Sequence, residues 1–209
     1  MTAPLGALEI GSRSGRSAAV ARRTRETEVE VRLDLDGEGR TSVSTGVGFY
    51  DHLLASLAHH ALFDLEVRAT GDLAVDEHHT VEDVAIVLGA ALAEILGDRE
   101  GIVRFGDAAV PMDEALATAA VDVGGRPYTV VELPFRGERI GTLSTQLVEH
   151  AVESFARAAG ATVHLRGSGR NDHHLAEAAF KALGRALRGA VASDPRRGAA
   201  PASTKGSLG

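Results

Sequence analysis

The sequence predicts an α+β protein built by internal duplication, and three observations point there. Strand-like alternation and helix-like periodicity take turns along the chain. A His-His-x-x-Glu string opens a long helical stretch twice, and each string follows an acid–His pair at similar spacing. At 209 residues with 44% hydrophobic and 24% charged content, the chain is an ordinary globular one, long enough for one large domain or two fused halves.

The elements follow in order. Residues 1–22, rich in Gly, Ser, Ala and Arg, are expected to be a flexible N-terminal arm. Thr27, Val29, Val31, Leu33 and Leu35 then alternate with Glu28, Glu30, Arg32 and Asp34, a half-buried strand. Asp36-Gly37-Glu38-Gly39 turns the chain and 40–45 starts a return strand. Residues 51–60 carry Leu53, Leu54 and Leu57 on one helical face, and 62–69 alternate again as a strand. After the Gly71-Asp72 turn, 76–96 have helical length and spacing, and Gly97 stops them. Strands are expected over 112–122 and 127–133, a helix over 145–159, a strand over 162–166 and a helix over 173–191. The half-domains are placed at 23–110 and 111–192, followed by a Pro/Gly/Ser tail over 193–209.

Composition excludes several functions. No cysteine means no disulfide, thiolate nucleophile or thiolate metal site, and it accords with a cytoplasmic protein. A net charge of −7 argues against nucleic-acid binding, and no apolar run is long enough to cross a membrane. Gly46-x-Gly48 lacks the third glycine of a dinucleotide fingerprint, so no such cofactor is expected.

The repeat carries the chemistry. Asp51-His52 precedes His78-His79-x-x-Glu82 by 26 positions, His52 to His78; Glu149-His150 precedes His173-His174-x-x-Glu177 by 23. Composition alone would produce roughly 0.03 such His-His-x-x-Glu strings, yet two are present. Positions i and i+4 share a helix face, so His78 with Glu82, and His173 with Glu177, can each grip one ion. His79 and His174 point about 100° away, toward a second ion or one shared with another copy. Six imidazoles and two carboxylates divide over two ions as three His and one Glu each. That leaves two open positions on an octahedral ion and suits Mn²⁺, Fe²⁺ or Zn²⁺, with Mn²⁺ favoured. Asp76 and Asn171, two positions before each His pair, are placed to cap the helices.

The chain resembles imidazoleglycerol-phosphate dehydratase, a hydro-lyase of histidine biosynthesis. The early motifs are Gly48-Phe49-Tyr50-Asp51-His52, Arg68-Ala69-Thr70-Gly71-Asp72, His78-His79-Thr80-Val81-Glu82-Asp83, Arg104-Phe105-Gly106-Asp107 and Gly125-Arg126-Pro127-Tyr128. The later ones are Gln146-Leu147-Val148-Glu149-His150, His173-His174-Leu175-Ala176-Glu177-Ala178, Ser193-Asp194-Pro195-Arg196-Arg197 and Ser203-Thr204-Lys205-Gly206. Leu53 departs from the family's Met, and Ser56 stands where some members place Gln. The resemblance implies two half-domains, each a four-stranded sheet with helices on one face. It also implies metal-assembled trimers that form a 24-subunit homo-oligomer with sites between subunits.

By the same resemblance, D-erythro-imidazole-glycerol phosphate loses water through a metal-stabilised imidazolate and a diazafulvene-like intermediate to give imidazole-acetol phosphate. Glu26, in Thr24-Arg25-Glu26-Thr27, is the implied substrate contact and candidate acid/base; His52, His79, Glu82, His174 and Glu177 complete the implied catalytic set. Arg104, Arg126, Lys181, Ser203 and Lys205 match phosphate-contacting positions, and the tail would close on the phosphate. Two alternatives stay open: a binuclear metal phosphoesterase, and a non-enzymatic metal-binding shell protein. Phosphate release, or metal binding without phosphate ligands, would distinguish them.

Overall fold

A computed structural model describes residues 6–206 and Leu208; positions 1–5, 207 and 209, the outer ends of the expected arm and tail, lie outside the described residues. The first sheet contains β1 (Leu8–Ser14), β2 (Ser17–Arg23), β3 (Thr27–Asp34), β4 (Thr41–Ser44) and β5 (Asp64–Gly71), in the order β1-β2-β3-β5-β4. Helix α1 (Gly48–Ala61) links β4 to β5, and α2 (His78–Leu96) follows β5. The second sheet contains β6 (Phe105–Met112), β7 (Ala115–Asp122), β8 (Tyr128–Glu132) and β11 (Thr162–Ser168), in the order β6-β7-β11-β8. A small hairpin, β9 (Arg139–Ile140) with β10 (Leu143–Ser144), leads into α3 (Thr145–Ala159), and α4 (Asp172–Val191) follows β11.

The duplication is visible as topology. Strands β2-β3-β5-β4 and β6-β7-β11-β8 occupy corresponding places, and in each half the third strand runs parallel to the fourth across a helix. The outer faces of β3 and β7 are exposed while Val29, Val31, Leu33, Ala117, Ala119 and Val121 are buried, so each sheet covers helices on one side. The helices of the two halves meet in the middle, α1 against α4 and α2 against α3.

These crossings are close because each contains a glycine. Gly89 of α2 stands eleven positions after His78, and Gly184 of α4 eleven after His173. A Cβ at Gly89 would collide with the Phe155 carbonyl oxygen, and one at Gly184 with that of Leu57. The partner residues correspond too: Leu57 lies five beyond His52 and Phe155 five beyond His150. The crossing that packs the core therefore also sets the distance between histidines on different helices.

Four sequence expectations are corrected. The part of the expected arm within the described residues is ordered: residues 8–14 and 17–23 are strands, so the first sheet has five strands rather than four. The reason is burial of Ala18 and Val20 under the helical layer and a buried Asp83 on α2 that accepts from Arg22 and Thr27. The half-domain boundary at 110/111 falls inside β6, which belongs wholly to the second sheet. β6 was not expected, since Gly106, Asp107 and Pro111 disfavour strands; it is an edge strand, where proline is tolerated. The strand after the Asp36–Gly39 turn does not return along β3 but runs parallel to β5.

Candidate metal and active site

The expected i,i+4 pairs form, and each is completed by a histidine from the other half. His52 of α1 joins His173 and Glu177 of α4, and His150 of α3 joins His78 and Glu82 of α2; within each group the ligand atoms lie within 4.8 Å of one another. Local sequence sets the helix starts. Asn171, the N-cap of α4, accepts from the His173 amide at 2.9 Å as its position predicts; the N-cap of α2 is Glu77 rather than the expected Asp76, whose side chain nevertheless accepts from the His78 amide at 2.8 Å. The connection before α3 is pinned to both His-bearing helices: Glu77 accepts from Arg139 and the Ser144 amide, and Asp172 from the Arg136 and Gly137 amides.

In the first group, Nε2 of His52 and of His173 lie 3.0 and 3.1 Å from the same Glu177 oxygen, Oε2. Lys181 Nζ holds the other oxygen at 2.7 Å. Burial pushes the Glu177 carboxyl up, but hydrogen bonds from Lys181 and His52 outweigh it and lower the pKa to about 2. Glu177 is therefore an anion at neutral pH, ready to ligate. Phe49 packs 4.9 Å from the His173 ring, centroid to centroid.

In the second group, the His78 and His150 rings lie 4.7 Å apart. His150 Nε2 is 3.5 Å from Glu82 Oε1, is buried, and makes no hydrogen bond among the described residues. A buried ring nitrogen without a partner is costly unless something fills the space it faces. Two imidazoles and a carboxylate, with no sulfur, form a donor set that fits a divalent transition ion.

His79 and His174 join neither group. Nδ1 of His79 contacts Asp72 Oδ2 at 3.0 Å, with Glu26 at 3.9 Å, and Nδ1 of His174 contacts Glu114 Oε2 at 2.9 Å. Hydrogen bonding to Asp72 and to Glu114, respectively, raises both histidine pKa values. Within one chain each group gathers two His and one Glu, because the adjacent histidines diverge on the helix, toward a second ion or one shared with another copy. Sequence reasoning missed Asp72 and Glu114 as partners, although the repeat aligns Glu114 with Glu26.

The phosphate-ligand candidates divide. Lys181 sits beside Glu177, as its spacing predicts. Arg104 lies instead at the far end of β6 from the Glu114 turn, roughly 23 Å along the strand. It forks onto Asp122 at 2.7 and 2.8 Å and donates to the Ala202 carbonyl, which anchors the segment carrying Ser203 and Lys205. Arg126 is at that same end, where its carbonyl accepts from Thr162. Within one chain these four residues are not brought to the histidines.

A profile of the imidazoleglycerol-phosphate dehydratases matches residues 45–187. The chain belongs to that family, whose members are hydro-lyases. Among dehydratase relatives, that of Methanoculleus marisnigri is 58% identical over 193 residues, covering 92% of this chain and 100% of its own. That of Acidiphilium cryptum is 54% identical over 194 residues, covering 92% and 99%. The crystal structure of the Staphylococcus aureus dehydratase shares 35% identity at a TM-score of 0.77, covering 85% of this chain and 99% of that one. The Pyrococcus furiosus dehydratase structure shares 37% identity at 0.77, covering 90% and 99%.

Proposed function

We propose that this chain dehydrates D-erythro-imidazole-glycerol phosphate to imidazole-acetol phosphate, with one divalent cation at each His₂Glu group and Mn²⁺ the favoured ion. The observation that carries the reading is the paired convergence of His52, His173 and Glu177 and of His78, Glu82 and His150, the latter with its unpartnered Nε2. Family membership supports the substrate and the pathway, histidine biosynthesis. When bound, the cations would supply Lewis acidity toward the nitrogens of an azole ring.

The remaining work falls to side chains. Glu26 is exposed, sits at the His79 edge of the site and acts as the acid/base that moves a proton at the substrate carbon. Glu82 and Glu177 each give their group one carboxylate ligand, while His79 and His174 offer the nitrogens not used by Asp72 and Glu114. Lys181, Arg104, Arg126, Ser203 and Lys205 bind the phosphate by charge-assisted hydrogen bonds. Because four of these lie at the far end of the chain's second sheet, a complete site draws them from another copy. That accords with a homo-oligomer of trimers reaching 24 subunits. Among the described residues no helix is long and apolar enough to cross a membrane, and the proposed location is the cytoplasm.

The test is rescue of a histidine auxotroph lacking the dehydratase, together with turnover of the purified protein before and after chelation. Growth, metal-dependent product formation and no release of inorganic phosphate are expected. Phosphate release would favour a phosphoesterase, and well-folded, metal-loaded protein with no turnover would overturn the reading.

A further inference from the structure

The two copies of the repeat treat equivalent carboxylates differently. Thr27 opens β3 and pairs with Gly71; Leu116 pairs with Ser168, so Ala115, which opens β7, corresponds to Thr27 and Gly169 to Gly71. Glu26 and Glu114 are then equivalent positions, each just before its strand, and Asp72 corresponds to Arg170. In the first copy Asp72 holds His79 Nδ1, and the Glu26 carboxylate accepts no hydrogen bond among the described residues. In the second copy Arg170 replaces the acid, and Glu114 takes over. Its Oε2 holds His174 Nδ1 at 2.9 Å while Oε1 accepts from the Arg170 and Asn171 amides at 2.9 and 2.7 Å. His174 Nε2 makes no hydrogen bond among the described residues and lies 3.7 Å from the exposed Asp113.

We propose that Asp72 and Glu114 are positioning residues that hold His79 and His174 with the proton on Nδ1 and the Nε2 lone pair free for a divalent cation. Glu114 is thereby committed to orientation, and Glu26, its equivalent, remains the carboxylate free to move protons. Carboxylates that accept from the far nitrogen of a ligating histidine fix its ring and raise its basicity. Three donors fix Glu114, so it cannot serve as a mobile acid/base. The inference rests on the cation binding proposed above.

The experiment is Mn²⁺ titration of chelator-stripped protein by calorimetry, with circular dichroism as the folding control. Glu114→Gln and Asp72→Asn should each weaken Mn²⁺ binding about 10–100-fold. Glu26→Gln should leave Mn²⁺ affinity unchanged and lower turnover. The double variant Glu114→Gln/His174→Ala should bind no more weakly than His174→Ala alone, which a general loss of structure would not produce. Wild-type affinity in Glu114→Gln, or losses that add in the double variant, overturn the positioning role while leaving metal binding intact. Absence of Mn²⁺ binding by the wild type overturns the proposed function and this inference with it.

Discussion

The two halves of this protein agree in backbone and disagree in their turns. Strand order, helix crossings and the His-x-x-x-Glu spacing recur, down to Gly89 and Gly184 at matching positions. The turns beside the second histidines differ: Gly71-Asp72 in one half, Gly169-Arg170 in the other, with Glu26 free and Glu114 bound. If the two groups hold the proposed cations, the repeated ligands need similar geometry and the shared packing supplies it. On the same proposal a single substrate needs only one free acid, which leaves room for the surrounding turns to differ.

The widest effect that would break this symmetry comes from the paired carboxylates. Glu82→Gln or Glu177→Gln should each remove an ion and lower turnover by about 10³-fold or more, because a cation supplies several kcal/mol of charge stabilisation. Elemental analysis beside steady-state kinetics checks this. Glu177→Gln should be the more damaging, since it also releases Lys181. Retained ions and activity in either variant would remove the basis of the comparison.

Glu26→Gln should lower kcat roughly 10²–10⁴-fold with ion content unchanged, the magnitude expected of a lost acid/base. Glu114→Gln should show the reverse pattern, weaker ion binding first. Equal kinetic signatures for the two would erase the distinction between the halves.

Next come the crossings. Gly89→Ala and Gly184→Ala should each destabilise the metal-free protein by about 1–3 kcal/mol, since a Cβ strikes a backbone carbonyl that cannot rotate away. Thermal or denaturant unfolding should give similar losses in both variants; a large effect from only one would mean that the crossings are not equivalent.

The smallest effect lies outside the site. Hydrogen bonds from the Arg40 side chain and amide and the Glu38 amide lower the Asp64 pKa to about 2. A depressed folded-state pKa adds stability above the unfolded value and loses it as pH falls through the folded one. Asp64→Asn should therefore be less stable than wild type at neutral pH, with the difference shrinking between about pH 4 and 2. Denaturant midpoints measured across that range check the sign.

Much of the site was legible because helical spacing is a local property. Residues i and i+4 must share a face, so His78–Glu82 and His173–Glu177 follow from sequence alone, as does the cap at Asn171. What sequence could not show was which helix faced which. The pairing of His52 with α4 and of His150 with α2 depends on the two halves packing face to face through their glycines. The N-terminal strands were obscured for a similar reason: Ala18 and Val20 gain their burial only from a helix some sixty positions later. β6 contradicts local propensity and persists through its ladder with β7 and its packing on α4.

The most direct test is an anomalous difference map at the manganese edge from crystals of the Mn²⁺-loaded protein. Two peaks per chain are predicted, one touching His52, His173 and Glu177 and the other touching His78, Glu82 and His150. No peak at either position, or strong peaks only elsewhere, would contradict the assignment of these residues as the metal-bearing centre.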